Sequence, residues 1–221
     1  MEFVDDLSED ADEYWSAIRD HPMVVRLGDG TLDEDRFRFW VKQDYRYLIE
    51  YSRVLAYGAA RAPDVRRLST FAELLDSTVT TEMDLHRKYA SEFGISQVEL
   101  ERTEPSPTTR AYTDFLVRTA ATGSFADLSV ALLPCEWGFN EVARRLDADG
   151  RPDHDRYAEW IETYSGAEFT RLAEWAKGLV DKVTAGATEA DRERYRRLFE
   201  TSAQFEYLFW DAAWNGEEWP L

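Results

Sequence analysis

TLDEDRFRFWVKQDYRYLIEYSRVLAYGAARAP, residues 31–63, decides the fold class. Phe37, Trp40, Asp44, Tyr47, Tyr51 and Leu55 return every three or four residues, with Leu48 beside them, the spacing that lines them up on one face of a helix. Thr31 with Glu34 reads as a capping-box start. Pro63 closes the run, because proline has no backbone N–H and its ring clashes with the preceding turn. The same period continues on both sides. Phe3, Leu7, Ala11, Trp15 and Ile18 predict one helix ending before His21-Pro22. Leu68, Phe71, Leu75, Met83 and His86 predict another, from Asp64 to Phe93, with Gly94 as its stop.

After Pro105-Ser106-Pro107, the residues Tyr112, Phe115, Leu116 and Thr119 mark a helix ended by Gly123. Ser124 with Asp127 caps the next, which continues past Pro134 to Leu146. Tyr157, Trp160, Ile161 and Tyr164 mark a short helix stopped near Gly166, and Phe169 to Val183 a longer one. Thr188 with Asp191 caps the last, which carries Tyr195, Phe199, Ser202, Phe205, Phe209 and Ala213. No segment alternates between turn signals, so strands are not expected. The expectation is an all-α fold: a single compact bundle of about eight helices, one domain over residues 1–221.

Charge narrows the function. The 221 residues carry 44 Asp and Glu against 26 Lys and Arg, a formal charge of -18. Such a chain cannot supply the cations that neutralise phosphates, so nucleic acid is excluded as a direct partner, and an anionic membrane surface with it. No run of about 18 apolar residues is present, so no transmembrane helix is expected. The acidic N-terminus does not read as a secretory signal. Cys135 is the only cysteine, which excludes an internal disulfide and fits a cytoplasmic location. With 14% aromatic residues the chain has ample material for a core, so its acidity does not mean disorder. The acids are dispersed and only four cations are Lys, which suggests the solvated surface of a halophile's protein.

A few residues stand out as chemically useful. Asp44, Tyr47 and Tyr51 share a helix face at i, i+3 and i+7. A carboxylate among aromatics is costly to bury without a hydrogen-bond partner, so Asp44 either faces water or awaits a ligand with N–H donors. Cys135 follows Pro134, which should kink its helix and open room beside the thiol. It reads equally as a small buried hydrophobe, with no His nearby in sequence to activate it. Glu206, within QFEYLFW, either has its pKa raised by desolvation, making it a proton donor near neutral pH, or points outward between two apolar faces. No metal site is expected: Glu82 and His86 are spaced i, i+4 rather than i, i+3 and have no second pair. His86 reads as a core or interface histidine. No glycine-rich phosphate loop occurs.

Six stretches together are similar to the TenA family, thiaminase II: FRFWVKQDYRYLIEY (37–51), EMDLH (82–86), PSPTTRAY (105–112), ALLPCEW (131–137), WIETY (160–164) and FEYLFWDAAW (205–214). The ALLPC segment resembles the cysteine-bearing branch. The resemblance implies a haem-oxygenase-like helical fold, a homotetramer, no cofactor, and a hydrolase acting on thiamin or an aminopyrimidine derived from it. It further implies that Cys135 adds to the pyrimidine ring, that Asp44 holds the ring's amino group, and that Glu206, assisted by Tyr164, protonates a ring nitrogen. Tyr112 matches a residue near the cysteine, and Tyr47 and Tyr51 match the aromatic wall. The chain departs from the pattern at Phe139, where a tyrosine is common; this favours the alternative of a non-catalytic pyrimidine-binding protein. It departs also at Glu136, whose charge would oppose thiolate formation if it faced Cys135, so it is expected to point away.

Overall fold

Asp33, not Thr31, opens the long helix on which the sequence reading turns. Its side chain accepts the backbone N–H of Asp35, while Thr31 donates its own N–H and hydroxyl to Asp29. A carboxylate at this position also faces the positive end of the helix dipole. In this computed structural model, which describes residues 3–221, the elements in chain order are α1 (Phe3–Asp10), α2 (Asp12–Arg19), α3 (Pro22–Gly28), α4 (Glu34–Arg61) and α5 (Val65–Ser77). A π-helical turn (Thr78–Glu82) leads into α6 (Met83–Glu92), followed by α7 (Gln97–Glu101), α8 (Pro107–Thr122) and α9 (Phe125–Asp149). Last come α10 (Asp155–Ser165), α11 (Ala167–Thr184) and α12 (Glu189–Asn215). There is no strand among the described residues, so the all-α expectation holds. Met1 and Glu2, the start of the acidic N-terminus, lie outside the described residues.

The helices are shorter and more numerous than the period alone predicts, for local reasons. The single N-terminal helix is two, interrupted at Ala11. Glu9 and Asp10 are unfavourable at a helix C-terminus, whereas Asp12 and Glu13 suit the start of a new one. The run does stop before His21-Pro22, and Pro22 then opens α3, with His21 Nδ1 accepting the N–H of Met23. The helix expected over 64–93 is α5, the π turn and α6 in one run, capped by Asp64 and stopped at Gly94, which takes φ of 73°. The π turn admits one extra residue and so rotates the face that α6 presents. Ser124 and Asp127 form the expected reciprocal cap, and α9 runs through Pro134.

The chain divides into two compact units. The first comprises the described residues up to Leu32 with Ser129–Asp211, and the second Asp33–Leu128 with Ala212–Leu221. In the first, Trp15, Trp160, Ile161, Val180 and Phe199 are core residues, and the Tyr157 hydroxyl donates to the Leu32 carbonyl. In the second, Phe37, Trp40, Leu55, Phe71 and Tyr89 are enclosed, and Arg61 donates to the carbonyls of Ala121 and Gly123 at the end of α8. No helix among the described residues is long and apolar enough to cross a membrane.

Gly58 lets α4 and α5 approach. A Cβ built there would lie 2.3 Å from Cδ1 of the enclosed Phe71 ring, which has nowhere to move. Gly58→Ala therefore lowers the melting temperature even though alanine favours a helix by about 1 kcal/mol, because overpacking costs about 1–3 kcal/mol. Thermal unfolding followed by circular dichroism checks this.

Candidate active site

In the second unit, α4 buries Asp44, Tyr47 and Tyr51 along one face. The Tyr47 ring stacks on Tyr51, with centroids 5.9 Å apart, and meets Tyr112 of α8 at 5.2 Å. Asp44 is only 4% exposed, so it does not face water, and the protein itself supplies an N–H donor. Nε2 of His86, on α6, lies 2.6 Å from Asp44 Oδ2.

His86 is wholly enclosed, with Nδ1 2.9 Å from the Glu82 carbonyl oxygen and the ring 5.5 Å from Trp40. A carbonyl oxygen only accepts, so Nδ1 carries a proton. Burial pushes the imidazole pKa down, but hydrogen bonding to Asp44 and the Asp44 charge outweigh it. Aided by the Glu82 carbonyl and carboxylate, they hold His86 above the ordinary histidine value. The core placement read from sequence is right. The pairing with Asp44 was missed because the two residues are 42 positions apart and the π turn sets how they meet.

In the first unit, α9 and α12 carry the other candidates. The Ser202 hydroxyl donates to the Ala131 carbonyl at 2.7 Å, and Phe139 meets Trp210 with centroids 5.4 Å apart. The second contact lies eight residues beyond the first on both helices, in the same direction. The two helices therefore run parallel and in register. Midway between these contacts stand Cys135 on α9 and Glu206 on α12, at one level. Glu206 is buried and does not point outward; Cys135 is partly accessible.

Phe139 sits among rings: Tyr164 at 5.3 Å, Trp160 at 6.0 Å and Trp210 at 5.4 Å. Tyr164 closes on Trp160 at 4.9 Å. Asn140 holds the end of α10 by donating to the Tyr164 carbonyl and to Thr170 Oγ1, a position that periodicity did not single out. Glu136 is buried. Among the described residues no group of three or more His, Cys, Asp and Glu is placed to hold a metal ion.

Residues 8–216 match the model of the TENA/THI-4/PQQC family. The chain belongs to this family. It is 41% identical over 220 residues to an aminopyrimidine aminohydrolase of Halalkalibacterium halodurans, covering 99% of this chain and 98% of that one. A TenA homologue from P. horikoshii OT3 superposes with a TM-score of 0.90 at 32% identity, covering 98% of this chain and all of that one. A Shewanella denitrificans domain with a haem-oxygenase-like fold, 14% identical, superposes at 0.74 over 98% of this chain and 93% of that one, and speaks to the architecture alone. The TENA/THI-4/PQQC chain thus has the haem-oxygenase-like fold expected from its motifs. Its departure at Phe139 places a ring without a hydroxyl inside an aromatic cluster.

The Asp44–His86 pair gives stability a definite pH dependence. A raised histidine pKa means the folded protein holds the proton more tightly than the unfolded chain. The contribution is therefore complete below the ordinary histidine value and is lost as pH rises through the folded pKa of His86. His86→Leu, which leaves a buried carboxylate unpaired, costs about 3–5 kcal/mol near neutral pH and removes this alkaline slope. Urea unfolding at a series of pH values measures both.

Proposed function

We propose that this protein hydrolyses an aminopyrimidine of thiamin salvage, through covalent addition of Cys135 to the pyrimidine ring. The observation that carries the reading is the matched register of α9 and α12, which levels a partly accessible thiol with a buried carboxyl. The full-length similarity to an aminopyrimidine aminohydrolase supports it.

The chemistry follows from what each group does. The Cys135 sulfur adds to a ring carbon, and the electron pair displaced onto a ring nitrogen is met by a proton from Glu206, with Tyr164 orienting that acid. Loss of aromaticity makes the ring electron-rich, so it expels the leaving group from the exocyclic methylene: ammonia from aminomethylpyrimidine, or the thiazole from thiamin. The thiol's proton leaves with the ammonia. Water adds to the methylene and gives its proton to the Glu206 carboxylate, and the ring-nitrogen proton returns to the sulfur as it departs. Departure of the Cys135 sulfur then restores the aromatic ring and yields 4-amino-5-hydroxymethyl-2-methylpyrimidine. Two covalent steps of moderate height replace one hard displacement. Asp44 accepts the amino group of the ring, while Tyr47, Tyr51, Tyr112 and Phe139 supply flat apolar walls that stack on the heterocycle and exclude water. No cofactor enters this scheme.

The finer surroundings belong to the same proposal: the cysteine-bearing branch of the family, a homotetramer, and the cytoplasm of a salt-adapted cell. Exposed i, i+3 and i, i+4 pairs of Arg with acids, such as Arg38–Asp35 and Arg151–Asp147, suit such a surface.

Turnover of thiamin and of aminomethylpyrimidine, assayed side by side at high and low salt, tests the reading and fixes the preferred leaving group. Cys135→Ala abolishes hydrolysis while the hydroxymethyl product still binds in calorimetry; hydrolysis near the wild-type rate by this variant refutes the mechanism. Glu206→Gln lowers kcat by about 100-fold or more, the size expected when a general acid is removed. A wild-type protein that binds the pyrimidine and never turns it over establishes a carrier instead.

A further inference from the structure

We infer that His86 is a positioning residue that fixes Asp44 as an anionic, single-oxygen acceptor and so makes the site select an exocyclic amino group over an oxo group. The inference rests on the proposed reading that Asp44 contacts the pyrimidine, and adds the origin of its selectivity.

The argument begins with the protons. Nδ1 of His86 faces the Glu82 carbonyl at 2.9 Å and must donate to it. Nε2 faces Asp44 Oδ2 at 2.6 Å, a separation that holds a proton in line between nitrogen and oxygen. With both ring nitrogens turned to oxygen acceptors, the arrangement is an imidazolium against a carboxylate. The charged and titratable groups facing the ring are Asp44 from α4 and Glu82 from the π turn, both acids, with the Trp40 and Tyr89 rings packed beside it. No cation lies among them, so the surroundings favour the protonated ring. The pair is neutral overall, so it can be enclosed where a lone carboxylate cannot.

This arrangement has a consequence for recognition. Oδ2 is committed to His86, whereas Oδ1 has no hydrogen bond to any described residue. The carboxylate therefore offers one oxygen, which is anionic and can only accept. An amino group presents it an N–H; an oxo group presents a lone pair and is repelled. Without His86 nothing fixes which carboxylate oxygen meets the ligand or balances the buried charge, and this discrimination is lost.

The experiment has three arms on the full chain. Nitrogen-15 NMR of the histidine side chains over a pH series gives the protonation state directly. The expected result is an imidazolium pattern for His86 at pH values where His21 and His154 are neutral; a neutral His86 pattern at pH 7 overturns the inference. In calorimetry, wild type binds 4-amino-5-hydroxymethyl-2-methylpyrimidine in strong preference to its 4-oxo counterpart. His86→Gln keeps an uncharged N–H for Asp44; it reduces that preference by about tenfold or more and raises KM by a larger factor than it lowers kcat. An unchanged preference overturns the inference, and a kcat loss without a KM change assigns His86 to a different role. Asp44→Asn, which presents an N–H of its own, shifts the preference toward the oxo compound, and this arm stands even where a His86 variant fails to fold. Wild type that neither binds nor hydrolyses the amino compound refutes the proposed function and the selectivity with it, while the NMR arm still reports whether the pinned pair exists. Turnover by wild type with an unaltered preference in His86→Gln refutes this inference alone.

Discussion

A carboxylate enclosed by aromatic rings needs a partner, and in the second unit the partner is an imidazole 2.6 Å away. Much of that unit's local architecture serves this contact. α4 brings Asp44 inward beside Trp40 and Tyr47, the π turn rotates α6, and the Glu82 carbonyl fixes the far side of the His86 ring. Two opposite charges placed together cost far less to bury than either alone, which is why an acid can be kept charged in an apolar setting. The same enclosure that makes the pair necessary also strengthens it, because little water competes for the hydrogen bond.

The first unit answers to a different constraint, the register of two helices. Here the constraint is geometric. A hydroxyl-to-carbonyl bond at one end and a ring contact at the other hold α9 and α12 in step, and Cys135 and Glu206 stand between. The aromatic cluster of Phe139, Trp160, Tyr164 and Trp210 fills the next layer, and Asn140 secures the end of α10 beneath Tyr164.

Much of this is legible in the sequence because helices advertise themselves through a repeat of three to four residues, and 31–63 does so without interruption. Caps are less legible. Asp33 and Thr31 are both good N-cap residues, and only the prior engagement of Thr31 by Asp29 decides between them. Pro22 closes one helix and opens the next, and periodicity has no sign for the difference. Among the candidate site residues, Asp44, Cys135 and Glu206 stand out because each is chemically odd for its surroundings. His86, Ser202 and Asn140 do not, since each matters only through a residue 24 to 71 positions away.

The parallel step of α9 and α12 carries a consequence for how such a chain can vary. Each residue of a helix advances about 1.5 Å and turns about 100°. A deletion or insertion of a single residue between Ala131 and Phe139, or between Ser202 and Trp210, would carry Cys135 or Glu206 roughly a quarter-turn out of line while leaving the other in place. Length is therefore frozen over these nine-residue spans, and diversity is confined to the chemistry of the side chains they display. Relatives with other substrates should differ there by replacement, never by gap, and their alignment should be unbroken through both spans even where identity is low.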